Sequence, residues 1–209
     1  MKSVYRMFIL ISLFYAVQSV CFAEDLTITL PDGTQKKVES RPIYTSPYPA
    51  DNLRDAIAAK DLDKLKEFLG KGVSINSAGS AGQLPIMEAF DDDKAEILDF
   101  LLTHGADVNL SATVAGMEMT SLDVAVTNGR VAAVKKLLEH GAQTEKELMF
   151  KETTLFSAVK NGNPEIIQAL VDHGADPNHK DMMGDTPLSL AEKSGKNDII
   201  AILKKAKSR

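Results

Sequence analysis

Several residue types that usually build folds and sites are scarce in this chain. It has one cysteine, Cys21, no tryptophan, and 6% aromatic residues among 209. A single thiol excludes an intramolecular disulfide framework and any multi-cysteine zinc site. So few rings suit an architecture of many small packed units better than one large core. A dominant charge is missing as well: 24 basic against 29 acidic residues leave −5. That balance argues against nucleic acid as a partner. No apolar run reaches the roughly 20 residues of a comfortable membrane span.

The N-terminal stretch has its own logic. Lys2 and Arg6 precede an apolar run from Phe8 to Val17, and Cys21-Phe22-Ala23 follows. A basic start, a short apolar core and small residues at two spaced positions describe a secretory signal peptide. Residues 1–23 are expected to be that peptide, with cleavage between Ala23 and Glu24. The mature protein would be periplasmic or secreted, free of the membrane, without cysteine, and at −7 once Lys2 and Arg6 leave. Without cleavage the same segment would anchor a structural scaffold.

Residues 24–50 change character. Leu26, Ile28 and Leu30 alternate with Thr27 and Thr29, the period of a half-buried strand. Pro31-Asp32-Gly33 supplies a turn, and Thr34 to Glu39 can return as a second strand. The hairpin would cap the end of the following core, or offer an edge to a partner by strand addition. Pro42, Pro47 and Pro49 then give an extended linker.

From residue 51 onward one interval dominates. Ala56, Ala89, Ala125, Ala158 and Ala191 are separated by 33, 36, 33 and 33 residues. Gly72, Gly105, Gly141 and Gly174 are separated by 33, 36 and 33. Both series carry the same three-residue excess, so one insertion explains both. Before the glycines stand Phe68-Leu69, Leu101-Leu102, Leu137-Leu138 and Leu170-Val171. The clearest unit reads Thr186-Pro187-Leu188-Ser189-Leu190-Ala191, following Gly174-Ala175-Asp176. Thr186 can cap a helix whose first turn tolerates Pro187, and Gly195 can end it.

These residues resemble the ankyrin repeat, whose Thr-Pro-Leu-His-x-Ala opening appears here with Ser189 in place of histidine. The resemblance implies an all-α ankyrin-repeat solenoid over residues 51–209, after the signal peptide and hairpin extension. Its five helix-turn-helix repeats would span about 51–80, 81–116, 117–149, 150–182 and 183–209. Asp51 is the expected N-cap of the first repeat. Asp91-Asp92-Asp93 should cap the outer helix of the second. The insertion falls in a longer loop between Asn109 and Thr120, and Lys204 to Arg209 should end the last helix as a solubilising cap.

No constellation for catalysis stands out, so no reaction and no cofactor are assigned. His104, His140 and His173 look like a metal set, yet each precedes the helix-ending glycine of its own repeat. Packed helices lie about 8–10 Å apart, too far for such side chains to share a metal at about 2 Å. The expectation is no metal and no nucleic acid. The turns between repeats are more telling. In the family they project as fingers beside a concave helical face where partners bind. Here they carry Met117, Glu118 and Met119, then Leu148, Met149 and Phe150, then Met182 and Met183. These residues are the expected partner-binding strip of a monomeric, non-enzymatic interaction module. Exported proteins of this kind include partners of envelope enzymes and immunity proteins that neutralise toxins.

The register makes a direct claim on packing. Leu137→Ala should cost about 2–5 kcal/mol in chemical denaturation, as truncation of a buried leucine does.

Overall fold

The computed structural model of the chain describes residues 26–29, 35–38 and 49–207. The expected signal peptide, its expected cleavage site at Ala23 and Glu24, the expected turn at Pro31-Asp32-Gly33, Pro42, Pro47 and the last two residues lie outside them. Two compact units divide the chain, residues 1–45 and 46–209. In the first, β1 (Leu26–Thr29) pairs antiparallel with β2 (Gln35–Val38), Leu26 opposite Val38. This is the hairpin that the alternation of Leu26 and Ile28 with threonines requires.

The second unit is a stack of helix pairs. Inner elements are α1 (Pro49–Ala58), a 3-10 turn (Pro85–Ala89), α4 (Ser121–Thr127), α6 (Thr154–Asn161) and α8 (Pro187–Lys193). Outer elements are α2 (Leu62–Gly70), α3 (Ala95–Thr103), α5 (Val131–Glu139), α7 (Pro164–Asp172) and α9 (Asn197–Lys207). Inner helices pack on inner helices and outer on outer: α4 meets α6, α6 meets α8, α5 meets α7, and α7 meets α9. None of these helices is long and apolar enough to cross a membrane.

The five signature alanines are all buried. A methyl group at that position lets neighbouring inner helices approach closely, and larger aliphatic side chains fill the space between layers. Leu53, Leu65, Leu101, Leu122, Leu137, Leu155, Ile167, Leu170 and Leu203 have no exposed surface. Each pair of helices therefore hides its apolar side only against the next pair.

Several ends form as their residues dictate. Thr186 accepts from the Ser189 N–H at 3.1 Å, and Ser189 Oγ accepts in return from the Thr186 N–H at 2.9 Å. Asn163 caps α7 ahead of Pro164. Others differ. Pro49 is the first residue of α1, where its fixed φ fits, and is not part of an extended linker. Asp51 then lies in the first turn, and its carboxylate accepts from the Ser80 N–H at 2.8 Å. The acidic run Asp91–Asp93 does not cap α3. Asp93 pairs with Lys60, while Asp91 pairs with Lys94 and Arg130. The inner element of the second repeat is only a 3-10 turn, and the Glu88 carbonyl there is taken by the Lys94 ammonium at 2.9 Å.

A polar ladder links the fingers. Asn76 donates to the Gly105 carbonyl and accepts from the Asp107 N–H; Asn109 does the same to Gly141 and Gln143. The equivalent residue in the next repeat is Glu145, which accepts from the Asp176 N–H but has no hydrogen to donate. Glu145→Asn should complete this rung and stabilise the fold by about 0.5–1.5 kcal/mol, one net hydrogen bond, read as a higher urea midpoint.

Candidate functional site

The loop lengthened by the three-residue insertion is not open. It folds into β3 (Ser111–Val114) and β4 (Met117–Thr120), an antiparallel hairpin with Val114 opposite Met117. Its two-residue turn is Ala115-Gly116, with φ of 51° and 81°. Positive φ at both positions matches the twist of the flanking strands. Thr120 ends β4 and begins α4 as its cap, accepting from the Asp123 N–H, while Asp123 accepts from the Thr120 N–H.

The next finger is built differently. A short 3-10 turn, Met149–Lys151, follows Leu148, and both Phe150 and Lys151 have positive φ, 61° and 59°. Seven residues before the signature alanine, the fingers carry Gly82, Lys151 and Gly184, all left-handed, with φ of 79°, 59° and 81°. Lysine therefore occupies a backbone position that glycine adopts without cost. The strained turn is held from the next repeat. His179 Nε2 donates to the Lys151 carbonyl at 2.8 Å, the Met182 N–H donates to the Phe150 carbonyl at 2.8 Å, and the His179 ring lies edge-on to Phe156.

Between these two fingers runs a groove of about 430 Å³. Met117, Glu118 and Met119 line it from the hairpin side, and Leu148, Met149 and Phe150 from the other. Six of the eight residues expected from the sequence thus come together. Met182 and Met183 do not line it; they lie on the following finger. Sequence reasoning missed the groove's inner-helix side, where Thr127, Asn128, Ser157 and Lys160 contribute. Equal spacing from the alanines could have found two of them, because Thr127 and Lys160 each stand two residues beyond Ala125 and Ala158.

The walls are tied together. Asp123, buried and standing where the repeat signature has histidine, accepts from the Thr120 hydroxyl at 2.7 Å and from the Thr154 hydroxyl. It thereby joins the end of β4 to the first residue of α6. Lys146 bonds Ser111 and Glu118 across the same gap. That hydrogen bond, then the Lys146 charge and the Ser111 contact, hold the Glu118 carboxyl below its ordinary pKa. The tie is complete above the unfolded-state pKa and is lost as pH falls through the lowered one. At the inner end, Lys160 reaches both Glu152 oxygens at 2.6 Å. Thirty-three residues on, Lys193 holds Asp185 in the same way at 2.6 and 2.7 Å.

Apolar side chains are exposed along the finger tips, from 42% for Met117 to 87% for Met183, with Met149, Phe150 and Met182 between. Met117, Phe150 and Met183 all stand eight residues before their signature alanine, so they occupy one position on three consecutive fingers. They do not fold back onto the helices as filler. The three histidines considered as ligands instead serve their own helices. Nδ1 of His104, His140 and His173 lies 2.8–2.9 Å from the carbonyls of Phe100, Lys136 and Ala169, four residues back. Among the described residues no three His, Cys, Asp or Glu side chains gather as a metal site.

Comparison with known proteins agrees with the stack. A family model described as ankyrin repeats (3 copies) matches residues 53–148 and 142–208. The zygote-specific protein 3 of Chlamydomonas reinhardtii is 36% identical over 93 residues. That alignment covers 44% of this chain and 24% of the relative, so the similarity spans about a quarter of that protein's length.

The finger with two left-handed residues stores strain that substitution can release. Lys151→Gly should raise stability by about 1 kcal/mol, the cost of a non-glycine residue in that conformation; an unchanged or lower thermal midpoint would mean the turn is relaxed.

Proposed function

The chain belongs to the ankyrin-repeat family, and on that footing we propose that it binds a protein partner through its fingers and the inner-helix face. Repeats of this family generally mediate protein–protein interaction. The observation that carries the proposal is the row formed by Met117, Phe150 and Met183, exposed at one repeated position beside the groove. Solvent-facing apolar side chains in a row, bordered by the charged pairs Glu118–Lys146 and Glu152–Lys160, provide an apolar centre with a polar rim. That division is common to protein interfaces. The strained Phe150 backbone adds to it, since an outward aromatic held at positive φ persists only where the surrounding contacts enforce it.

We place this binding in the periplasm or cell envelope, a proposal supported by the basic start, apolar run and Ala23 of residues 1–23. An intact mass beginning at Glu24, measured on protein recovered from the envelope fraction, tests it; retention of residues 1–23 would favour an anchored scaffold.

The binding surface is tested by substitution at the row. Phe150→Asp combined with Met183→Asp should leave the helical circular-dichroism spectrum and thermal midpoint nearly unchanged, because both side chains face solvent. Affinity capture from an envelope extract should lose the proteins retained by the unaltered bait. Identical captured sets would remove the row from the interface.

A further inference from the structure

The groove between the hairpin and the strained finger has a chemical bias that a general protein-binding surface does not need. Three of its lining side chains are thioethers. Met117 and Met119 alternate on β4 and so share one strand face, and Met149 stands on the facing finger. We propose that these three methionines form a binding site for a soft monovalent metal ion, Cu(I), between the two finger walls. This goes beyond the partner-binding reading and does not depend on it.

The donors fit this ion and few others. A thioether sulfur is soft and uncharged, and it favours Cu(I) over the hard and borderline cations that seek carboxylate, carbonyl or imidazole. The groove's two carboxylates are already committed: Glu118 to Lys146 and Glu152 to Lys160. They offer a hard cation little uncompensated charge, while nothing in the groove competes for the sulfurs. The chain's one thiol, Cys21, lies outside the described residues and is itself a soft donor, so the test removes it. Met117 is 42% and Met149 56% exposed, so their sulfurs are open to an arriving ion. Three rotatable bonds in each methionine give the sulfurs on the two walls freedom to turn toward a shared ion, Met119 from a partly buried position against the core. Those walls are kept in register by the Asp123 and Lys146 ties. Thioethers also need no deprotonation, so binding should be insensitive to pH where carboxylate or histidine sites are not.

The molecule contains its own controls. Met182 and Met183 are at least as exposed but lie outside the groove, and Met87 is buried in the second repeat. The experiment is a titration of the purified full chain carrying Cys21→Ser, labelled with 13C at the methionine methyl groups, using Ag(I) as a redox-stable stand-in for Cu(I). The methyl signals of Met117, Met119 and Met149 should move together and saturate at one ion per chain. Those of Met182, Met183 and Met87 should stay in place. Met119→Leu, which keeps the strand and the apolar volume, should weaken Ag(I) binding at least about tenfold, on the scale of disrupted metal sites, with an unchanged melting temperature. The same variant leaves Met117, Phe150 and Met183 apolar, so partner capture should survive and the two functions separate. Movement of Met182 and Met183 alongside the others, binding without saturation, or no movement at the groove methionines would each overturn the site.

Discussion

Every feature of this molecule depends on contact between successive repeats. One helix pair has too little apolar surface to fold alone, and its buried alanine and leucines find cover only on the pair before and after it. The fully enclosed positions recur at the same place in each unit, as Leu122, Leu155 and the alanines on the inner layer and Leu137 and Leu170 on the outer. Directional bonds are laid over this apolar contact. The Asn76 and Asn109 side chains each bridge to the backbone of the following unit. Asn161 and Lys196 reach back to carbonyls in the last turn of the preceding inner helices, Val126 and Thr127 in one case, Val159 and Lys160 in the other. Packing gives the stack its cohesion, and these bonds give it a fixed rise.

A large part of this is legible in the sequence. The alanine and glycine series express the stacking constraint itself, because a residue type that fits between two units must fit between the next two. Helix openings at Asn163-Pro164 and Thr186-Pro187 were legible for a local reason: cap and first-turn proline act within a few residues. The hairpin was harder to see. Ser111 to Thr120 contains only four residues per strand, and its turn is Ala115-Gly116 rather than a stronger signal such as Asn-Gly. The inner element of the second repeat also departs from its neighbours: it is a 3-10 turn whose Glu88 carbonyl accepts from the Lys94 ammonium six residues on, a local contact that no periodic pattern encodes.

The candidate site was legible as a set of residues but not as a shape. Counting methionines in the turns found both walls of the groove, yet its inner end at Asn128, Ser157 and Lys160 follows from how repeats three and four meet. Asp123 was equally hidden. At the signature position a carboxylate reads as a departure, and only the placement of Thr120 and Thr154 shows that it fastens one finger to the next. The strain at Phe150 and Lys151 arises because the neighbouring repeat, through His179 and the Met182 N–H, holds that turn where it is.

The hairpin's place in the order of repeats has a thermodynamic side. In a quasi-one-dimensional array each end unit has one neighbour and each inner unit two, so melting starts at the ends and moves inward. The groove is shared by the third and fourth of five units. Within the five described units it therefore has a neighbour on each side and should exchange its amide hydrogens slowly, while Met182 and Met183 stand on the finger leading into the last of those units. A partially melted molecule would keep its groove after its last finger had come loose.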